Sequence, residues 1–246
     1  MSDLNLRALV IGGARGIGGA VTSKLINEGI HVVFTSLSGS LASLEKFAKL
    51  RINDHQIVEH LRLDVRNVSD IESVIENSNK VLGGLDYLVY SPGGALIEPI
   101  DEVDIESWGE MLSIHCIGAS CVIKKAIHSF EKSDSGSIVL ISSISSLSAR
   151  PNQLAYSSAK AAMNQIMRSY ALELAKKKIR VNAVLPGLVQ TDALVGMNAS
   201  AIEEIVHSTP LKRLGTTKEI AECVLFLLSS RASFVTGHAM IVSGGR

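Results

Sequence analysis

The sequence has no excess of charge of either sign and no long apolar run. Lys plus Arg and Asp plus Glu number 24 each, which gives a formal net charge of zero at pH 7. A neutral chain has no electrostatic reason to bind nucleic acid or an anionic membrane. None of its apolar runs approaches the roughly 20 residues of a membrane-spanning helix. We therefore expect neither nucleic acid nor a membrane among its partners.

Cysteine is scarce as well. The three cysteines, Cys116, Cys121 and Cys223, lack zinc-ligand spacing, and an odd number of scattered thiols is typical of a reducing compartment. The histidines show no mutual spacing suited to a metal either. The chain start has no basic segment before the apolar run Leu6–Ile11, which is too short for a signal sequence. These features predict a cytoplasmic protein without a metal site.

Short apolar runs alternate with longer helical patterns along the chain. The predicted strands are Leu6–Ile11, His31–Thr35, Val58–Leu63, Leu85–Tyr90, Ser137–Ser142, Ile179–Val184 and Ala239–Val242. The predicted helices are Ile17–Glu28, Leu41–Lys49, Asp70–Val81, Ile105–Phe130, Ala155–Lys176 and Lys218–Ser230. This alternation predicts an α/β fold, a Rossmann-type doubly wound parallel sheet of about seven strands flanked by helices. No linker or repeat interrupts it, so residues 1–246 are expected to form a single domain.

The segment 187–213 departs from the tight alternation of strands and helices. It is apolar and weakly helical, with Leu194, Met197, Ile202 and Val206 among its side chains. An apolar insertion at the carboxyl edge of a parallel sheet is where a substrate lid would lie. A pair of short packing helices is the other interpretation of this segment.

A glycine-rich turn separates the first strand from the first helix. Gly12 can make the turn, and Gly16 and Gly18 remove side chains where a pyrophosphate and the strand must approach the helix. Glycines with this spacing also serve ordinary tight turns. Their position between the first strand and an amphipathic helix favours a nucleotide-binding loop.

The end of the second strand lacks an acidic residue. A site that prefers NAD places an acid there, about twenty residues beyond the glycines, to hold the ribose 2′-hydroxyl. This chain has Ser36 and Ser38 instead, which can donate hydrogen bonds to a 2′-phosphate, and Arg15 can pair with that phosphate. Arg15 could also be an ordinary surface charge. The missing acid favours NADP(H) over NAD(H).

Tyr156 and Lys160 lie four residues apart on a predicted helix, and Ser143 precedes the tyrosine by thirteen residues. Side chains with this helical spacing share one face, and an ammonium there is expected to lower the pKa of the phenol. A phenol with a lowered pKa suits general acid–base chemistry, and the serine hydroxyl can bind the same substrate oxygen. A Tyr-x-x-x-Lys pair alone could be an ordinary surface pair. With the glycine turn upstream, it indicates proton and hydride transfer between an alcohol and a nicotinamide.

These residues resemble the short-chain dehydrogenase/reductase family, of the kind that reduces 3-oxoacyl groups. The resemblance runs from about Leu6 to Ser243-Gly-Gly245 and includes Asp64-Val65, Phe234-Val-Thr-Gly237 and the segment Asn182–Thr191. It implies that Ser143, Tyr156 and Lys160 are catalytic. Together with the residues above, it implies cofactor contacts from Gly12, Arg15, Gly16, Ile17, Gly18, Ser36, Ser38, Asp64, Val65, Ser91, Gly93, Tyr156, Lys160, Pro186, Gly187, Val189 and Thr191.

Two segments depart from the family pattern. Tyr90-Ser-Pro-Gly93 stands where the family has Asn-Asn-Ala-Gly, so a sheet-stabilising asparagine is missing. His115 stands where the family has a fourth catalytic residue, an asparagine that helps to hold a water linked to the lysine. The histidine could hold the same water, could titrate near neutrality, or could only replace a structural hydrogen bond.

The resemblance implies an NADP(H)-dependent oxidoreductase acting on a small-molecule carbonyl or alcohol, with a 3-oxoacyl thioester or a biosynthetic ketone as substrate. Lys176–Lys178 is a basic patch that could receive a carrier protein, whereas Asp134 argues against one. The resemblance further implies a homotetramer or homodimer. The alternative function is a cofactor-binding sensor or scaffold with little or no turnover, suggested by the two departures.

Overall fold

The computed structural model describes residues 6–38, 41–194 and 197–246, with the backbone alone at residues 41–44 and 193. Residues 1–5, on which the expectation about a leader segment partly rests, lie outside this description. Among the described helices, none combines the length and the apolar character that crossing a membrane requires. Within the same described segments, no group of three or more His, Cys, Asp or Glu residues is arranged to hold a metal ion.

Seven parallel strands form one sheet in the order β3-β2-β1-β4-β5-β6-β9. They are β1 (Arg7–Ile11), β2 (His31–Ser36), β3 (Val58–Arg62), β4 (Tyr87–Tyr90), β5 (Gly136–Ile141), β6 (Ile179–Pro186) and β9 (Ala239–Val242), and the short pair β7 (Val189–Gln190) and β8 (Gly215–Thr216) lies apart. Each of the seven predicted strands is present, with ends displaced by at most two residues. The doubly wound parallel sheet predicted from the sequence is thereby confirmed.

Helices cover both faces of this sheet. They are α1 (Gly16–Asn27), α2 (Leu41–Ala48), α3 (Val68–Leu82), α4 (Ile105–Leu112), α5 (Gly118–Ala126), α6 (Leu154–Leu174), α7 (Ala199–Ser208) and α8 (Thr217–Leu228). One apolar layer joins Leu9 and Ile11 of β1 to α3, α5 and α6. The other joins Ala8 and Val10 to α1, α2 and α8. Alternate side chains of one strand thus enter opposite layers, as in any sheet that is buried on both faces.

The helical stretch predicted at Ile105–Phe130 is present over its whole length, but it is not a regular α-helix throughout. The chain forms α4, then a π-helical segment at Ser113–Ile117, then α5, and it ends in a 3-10 turn at Ile127–Phe130. The Tyr90 hydroxyl donates a hydrogen bond to the Ile114 carbonyl oxygen at 2.5 Å. A side chain that donates a hydrogen bond to a helical carbonyl oxygen disrupts the regular pattern of backbone hydrogen bonds. Short π segments inside α-helices are frequent at functional sites.

The carboxyl ends of the parallel strands meet at one edge of the sheet. The chain leaves β1 and β4, which are neighbours in the sheet, toward helices on opposite faces. A crevice opens at such a reversal of strand order, and ligands of open α/β sheets bind there. The glycine turn after β1 and the Tyr90–Gly93 segment after β4 both border this crevice.

The segment 187–213 contains β7, a 3-10 turn at Asp192–Leu194 and α7. The helical tendency predicted for it is present in α7. No residue of α7 is buried, in contrast to the five buried residues of α8. An unburied helix at the carboxyl edge supports the lid interpretation over the packing interpretation, and the lid function remains a prediction.

Candidate active site

Ser143 lies two residues beyond the end of β5. It caps a 3-10 turn at Ile144–Ser146, where its hydroxyl accepts a hydrogen bond from the Ser145 backbone N–H at 3.1 Å. The same hydroxyl hydrogen-bonds the Tyr156 phenol. Ser143 is 9% exposed, so this hydroxyl is held at the floor of the crevice.

Tyr156 and Lys160 are one turn apart near the start of α6. The Lys160 ammonium lies 5.7 Å from the centre of the Tyr156 ring. Lys160 is 4% exposed, and its Nζ donates a hydrogen bond to the Ile141 carbonyl oxygen at 2.8 Å. Burial lowers the pKa of Lys160 to about 7. Helix α6 and the end of β5 therefore bring together all three predicted catalytic residues.

The direction of the pKa shift predicted for Tyr156 is wrong. Burial raises the pKa of the phenol above its usual value, and only the hydrogen bond with Ser143 opposes this shift. The lysine does not reverse this rise, because its ammonium donates to the Ile141 carbonyl oxygen and because burial disfavours the charged forms of both groups. The phenol thus keeps its proton at neutral pH, which suits a proton donor.

His115 lies in the π segment and is fully buried. Its ring stands edge to face against Tyr156, with 5.4 Å between the ring centres. Burial and the positive charge of Lys160 lower the pKa of His115 to about 2, while a hydrogen bond with the Gly94 carbonyl oxygen acts in the opposite direction. The interpretation that His115 titrates near neutrality is therefore wrong, and the imidazole is neutral.

The glycine turn forms an open cradle. A Cβ added at Gly18 would lie 2.1 Å from the Gly12 carbonyl oxygen, so only glycine permits this contact between turn and helix. Gly16 has a φ of +56°, and a Cβ there would meet only the Thr191 methyl, at 3.8 Å. Helix α1 begins with no acidic residue and no capping side chain. Its free N–H groups and the open space beside Gly16 fit the pyrophosphate of a dinucleotide.

Polar and basic side chains lie at the end of β2, where the adenosine of the cofactor is predicted to bind. The Ser36 hydroxyl hydrogen-bonds His60 Nε2 at 2.8 Å, while Ser38 and Arg15 are exposed. Arg62 pairs in register with Ser36 and is also exposed. Of the described residues at the end of β2, Ser36–Ser38, none is acidic, and the predicted preference for NADP(H) stays a prediction.

Sequence reasoning missed His60 and Arg62 at this place. The signal that could have found them is the strand register, because β3 runs parallel to β2 and ends beside it. Asp64 follows β3 and pairs with Arg66 at 2.7 Å. Hydrogen bonds from Arg66 and, to a smaller extent, the charge of Arg62 lower the pKa of Asp64.

The opposite wall carries the residues predicted to face the nicotinamide. Ser91 donates its N–H to the Ile11 carbonyl oxygen at 2.9 Å, which joins the segment after β4 to the end of β1, just before the glycine turn. Pro186 ends β6, and the Gly187 N–H bonds the Val242 carbonyl oxygen at 3.0 Å. Val189 is buried, and Thr191 faces Gly16 across the crevice. Ile17, Val65 and Gly93 complete the predicted set, with Gly93 at a φ of +84°.

The basic patch Lys176–Lys178 does not lie at the mouth of this crevice, so that interpretation is wrong. Helix α6 begins beside the site and carries the chain away from it, and the patch follows the far end of the helix. Tyr156 and Leu174 are eighteen positions apart on the helix, which corresponds to about 27 Å. Asp134 precedes β5 at that same distant edge, away from the crevice.

Comparisons with known proteins find dehydrogenases and reductases. A family model described as enoyl-(acyl carrier protein) reductase matches residues 12–246. A glucose 1-dehydrogenase of Gluconobacter oxydans is 30% identical over 97% of this chain and 91% of its own length. A 3-oxoacyl-[acyl-carrier-protein] reductase of Buchnera aphidicola is 31% identical, with coverage of 97% and 96%. The structure of a short-chain type dehydrogenase/reductase from Mycobacterium ulcerans matches with a TM-score of 0.93 at 29% identity and covers 100% of this chain and 90% of its own.

Proposed function

The chain belongs to the short-chain dehydrogenase/reductase family, and we propose that it is an NADP(H)-dependent oxidoreductase that interconverts a carbonyl and a secondary alcohol. The observation that carries this proposal is the convergence of Ser143, Tyr156 and Lys160 beside a crevice with a glycine cradle. A sensor of the same fold would not need a protonated phenol, an adjacent hydroxyl and a buried lysine at one point.

The proposed mechanism uses the protonated phenol as the acid. A bound nicotinamide supplies or accepts the hydride. Tyr156 donates its proton to the carbonyl oxygen, and Ser143 donates a hydrogen bond to the negative charge that develops there. Lys160 has three N–H donors and uses one on Ile141, so two remain for the phenol side and for a ribose hydroxyl. Its positive charge stabilises the phenolate left after proton transfer.

The substrate class proposed is a 3-oxoacyl thioester or a ketone intermediate of biosynthesis. It is supported by similarity to the Buchnera 3-oxoacyl reductase. The experiment is NADPH oxidation by the purified protein with a panel of ketones, aldoses and 3-oxoacyl thioesters. We expect turnover with at least one ketone or thioester and faster turnover with NADPH than with NADH. NADPH binding without turnover on any of these substrates would favour the sensor function instead.

Replacing Arg15 by alanine is expected to weaken NADPH binding by about tenfold and NADH binding by less than about twofold, since only NADPH carries the 2′-phosphate that a charge-assisted hydrogen bond would reach. Titration calorimetry with both cofactors measures the two affinities. Arg51→Ala is the matched control, because Arg51 is an exposed arginine beyond the far end of α2. Equal losses for both cofactors would show that Arg15 does not read the phosphate.

We further propose that the protein is a homodimer or homotetramer in the cytoplasm. Large apolar side chains are exposed at Ile117 in the π segment, at Leu172 on α6, and at Phe234 and Ile241 near the C-terminal strand. Exposed apolar patches of this kind favour association between copies. Light scattering in solution should give the mass of two or four chains, and a monomer at micromolar concentration would contradict the proposal.

A further inference from the structure

Two aromatic side chains connect the end of β4 to the π segment. Tyr90 is the last residue of β4, is fully buried, and donates its hydroxyl hydrogen to the Ile114 carbonyl oxygen. His115, the next residue of the π segment, makes a second hydrogen bond, in which its Nε2 lies 3.1 Å from the carbonyl oxygen of Gly94. The strand end and the helix are thus joined by a reciprocal pair of hydrogen bonds.

Glycines make room for both rings. A Cβ at Gly118 would lie 2.8 Å from the Tyr90 hydroxyl oxygen and 2.8 Å from the Val65 carbonyl oxygen. A Cβ at Gly93 would lie 2.7 Å from Cε1 of His115. Contacts this short do not occur between real side chains, so each ring occupies space that a glycine leaves free. The Tyr90 ring therefore packs closely against the backbone at Gly118, and the His115 ring packs closely against the backbone at Gly93.

The hydrogen bonds select one tautomer of His115. A carbonyl oxygen can only accept, so the bond to Gly94 requires the hydrogen on Nε2. Nδ1 is then unprotonated, and it is buried with no hydrogen-bond partner in the described part of the chain. Because burial and Lys160 lower the pKa of the imidazole to about 2, no second proton is present at neutral pH.

The charged and titratable groups near the imidazole and the Tyr90 ring come from α6, from β4, and from the π segment and α5, which contribute Cys116 and Cys121. Helix α6 contributes Lys160 and the Tyr156 phenol, whose ring stands edge to face against the imidazole. Strand β4 contributes the Tyr90 phenol, whose pKa is raised well above its usual value by burial. Tyr90 is consequently a permanent donor, and its bond to the π segment does not vary with pH in the physiological range.

We propose that Tyr90 is a positioning residue for the catalytic tyrosine and acts on it through His115. The Tyr90 hydroxyl holds the π segment in the register that brings the imidazole against the Tyr156 ring, and the bond from Nε2 to Gly94 fixes the plane of the imidazole. The edge-to-face contact then orients the phenol that donates the proton. This inference rests on the proposed function for its kinetic consequence, and on the structure alone for the tautomer.

The kinetic test is a double-mutant cycle with Tyr90→Phe and His115→Asn. Each single substitution is expected to lower kcat for ketone reduction by about tenfold, because small displacements of a catalytic group are costly, while the KM for NADPH changes by less than about twofold. In the double variant the loss should be no larger than in either single variant, since both act through one contact. Multiplied losses in the double variant would overturn the proposal.

Tyr170→Phe is the matched control. The Tyr170 hydroxyl, on α6, bonds the carbonyl oxygen of Ser120 in α5 at 3.1 Å, away from the crevice. Removing it should lower the thermal midpoint about as much as Tyr90→Phe does and leave kcat unchanged. If Tyr170→Phe reduced kcat to the same extent, the effect of Tyr90 would be a general loss of stability and the proposal would fail.

A spectroscopic measurement tests the tautomer without turnover or cofactor. In protein with 15N-labelled histidine, His115 should show a pyrrole-like Nε2 and a pyridine-like Nδ1 that do not titrate between about pH 5 and 9. Tyr90→Phe should yield a mixture of tautomers. A wild-type His115 that titrates in this range or carries its hydrogen on Nδ1 would overturn the inference, even if Tyr90→Phe does not fold. Absence of ketone reduction in the wild type would instead count against the proposed function.

Discussion

Tyr156→Phe is expected to abolish carbonyl reduction and to leave NADPH binding within about twofold of the wild type. The substitution removes one oxygen and keeps the ring, so the edge-to-face contact with His115 is retained. General acids of this kind contribute about 10²- to 10⁴-fold to the rate, and kcat should fall by at least about 10³-fold. Steady-state NADPH oxidation measures the rate, and fluorescence titration measures the binding.

The comparison with Tyr170→Phe separates the role of the phenol from a general effect on α6. Both residues lie on that helix, and each hydroxyl makes a hydrogen bond, Tyr156 with Ser143 and Tyr170 with Ser120. Only the first should be required for turnover. A Tyr156→Phe variant that keeps most of its rate would show that another group donates the proton.

Lys160→Met is expected to lower kcat by about 10²-fold or more and, unusually for a core substitution, to make the protein more stable. The activity falls because no cation remains to stabilise the phenolate. The stability rises because methionine has a similar length and no charge to bury. The loss of the Ile141 hydrogen bond offsets part of the gain, so a net increase of about 1–3 kcal/mol at pH 7 is expected.

The pH dependence of unfolding shows why Lys160→Met is expected to raise the free energy of unfolding. Burial lowers the pKa of Lys160 from 10.5 to about 7 in the folded protein. Between those pH values the unfolded chain binds a proton that the folded protein does not, so the stability of the wild type rises with pH. Below about pH 7 both states hold the proton, and the cost of the buried charge is complete.

The advantage of Lys160→Met should therefore be largest below pH 7 and should shrink toward pH 10. Urea unfolding of both proteins without cofactor, over this pH range, measures the difference in the free energy of unfolding. A methionine variant that is less stable than the wild type at every pH would show that Lys160 is solvated and not buried, and the electrostatic description of the site would have to be revised.

Much of the fold could be predicted from local patterns. The buried parallel strand Gly136–Ile141 can be recognised from its continuous apolar run, Ile138–Ile141, because both faces of the sheet are covered. The π segment between α4 and α5 could not be predicted, since the Ile114 carbonyl oxygen is bonded there by the Tyr90 hydroxyl, which comes from a distant strand. The helical propensity of Ser113–Ile117 gives no information about a contact with a distant strand.

The candidate site was predictable in its residues and less so in its energetics. Ser143, Tyr156 and Lys160 could be selected from spacing, and the structure brings them together. Whether the pKa of Tyr156 is raised or lowered could not be predicted from spacing, because it depends on burial and on where the Lys160 side chain points. His60 and Arg62 were missed because their proximity to Ser36 follows from strand register. The position of Lys176–Lys178 was misjudged because a 21-residue helix separates it from the crevice.

A crystal structure of the protein soaked with NADP+ tests the central claim most directly. The account predicts the nicotinamide ring in the crevice, with its C4 atom within about 4 Å of the space between the Tyr156 and Ser143 hydroxyls, as hydride transfer to a carbonyl bound there requires. A ring turned away from Tyr156, or a crevice that takes up no dinucleotide at millimolar concentration, would contradict it.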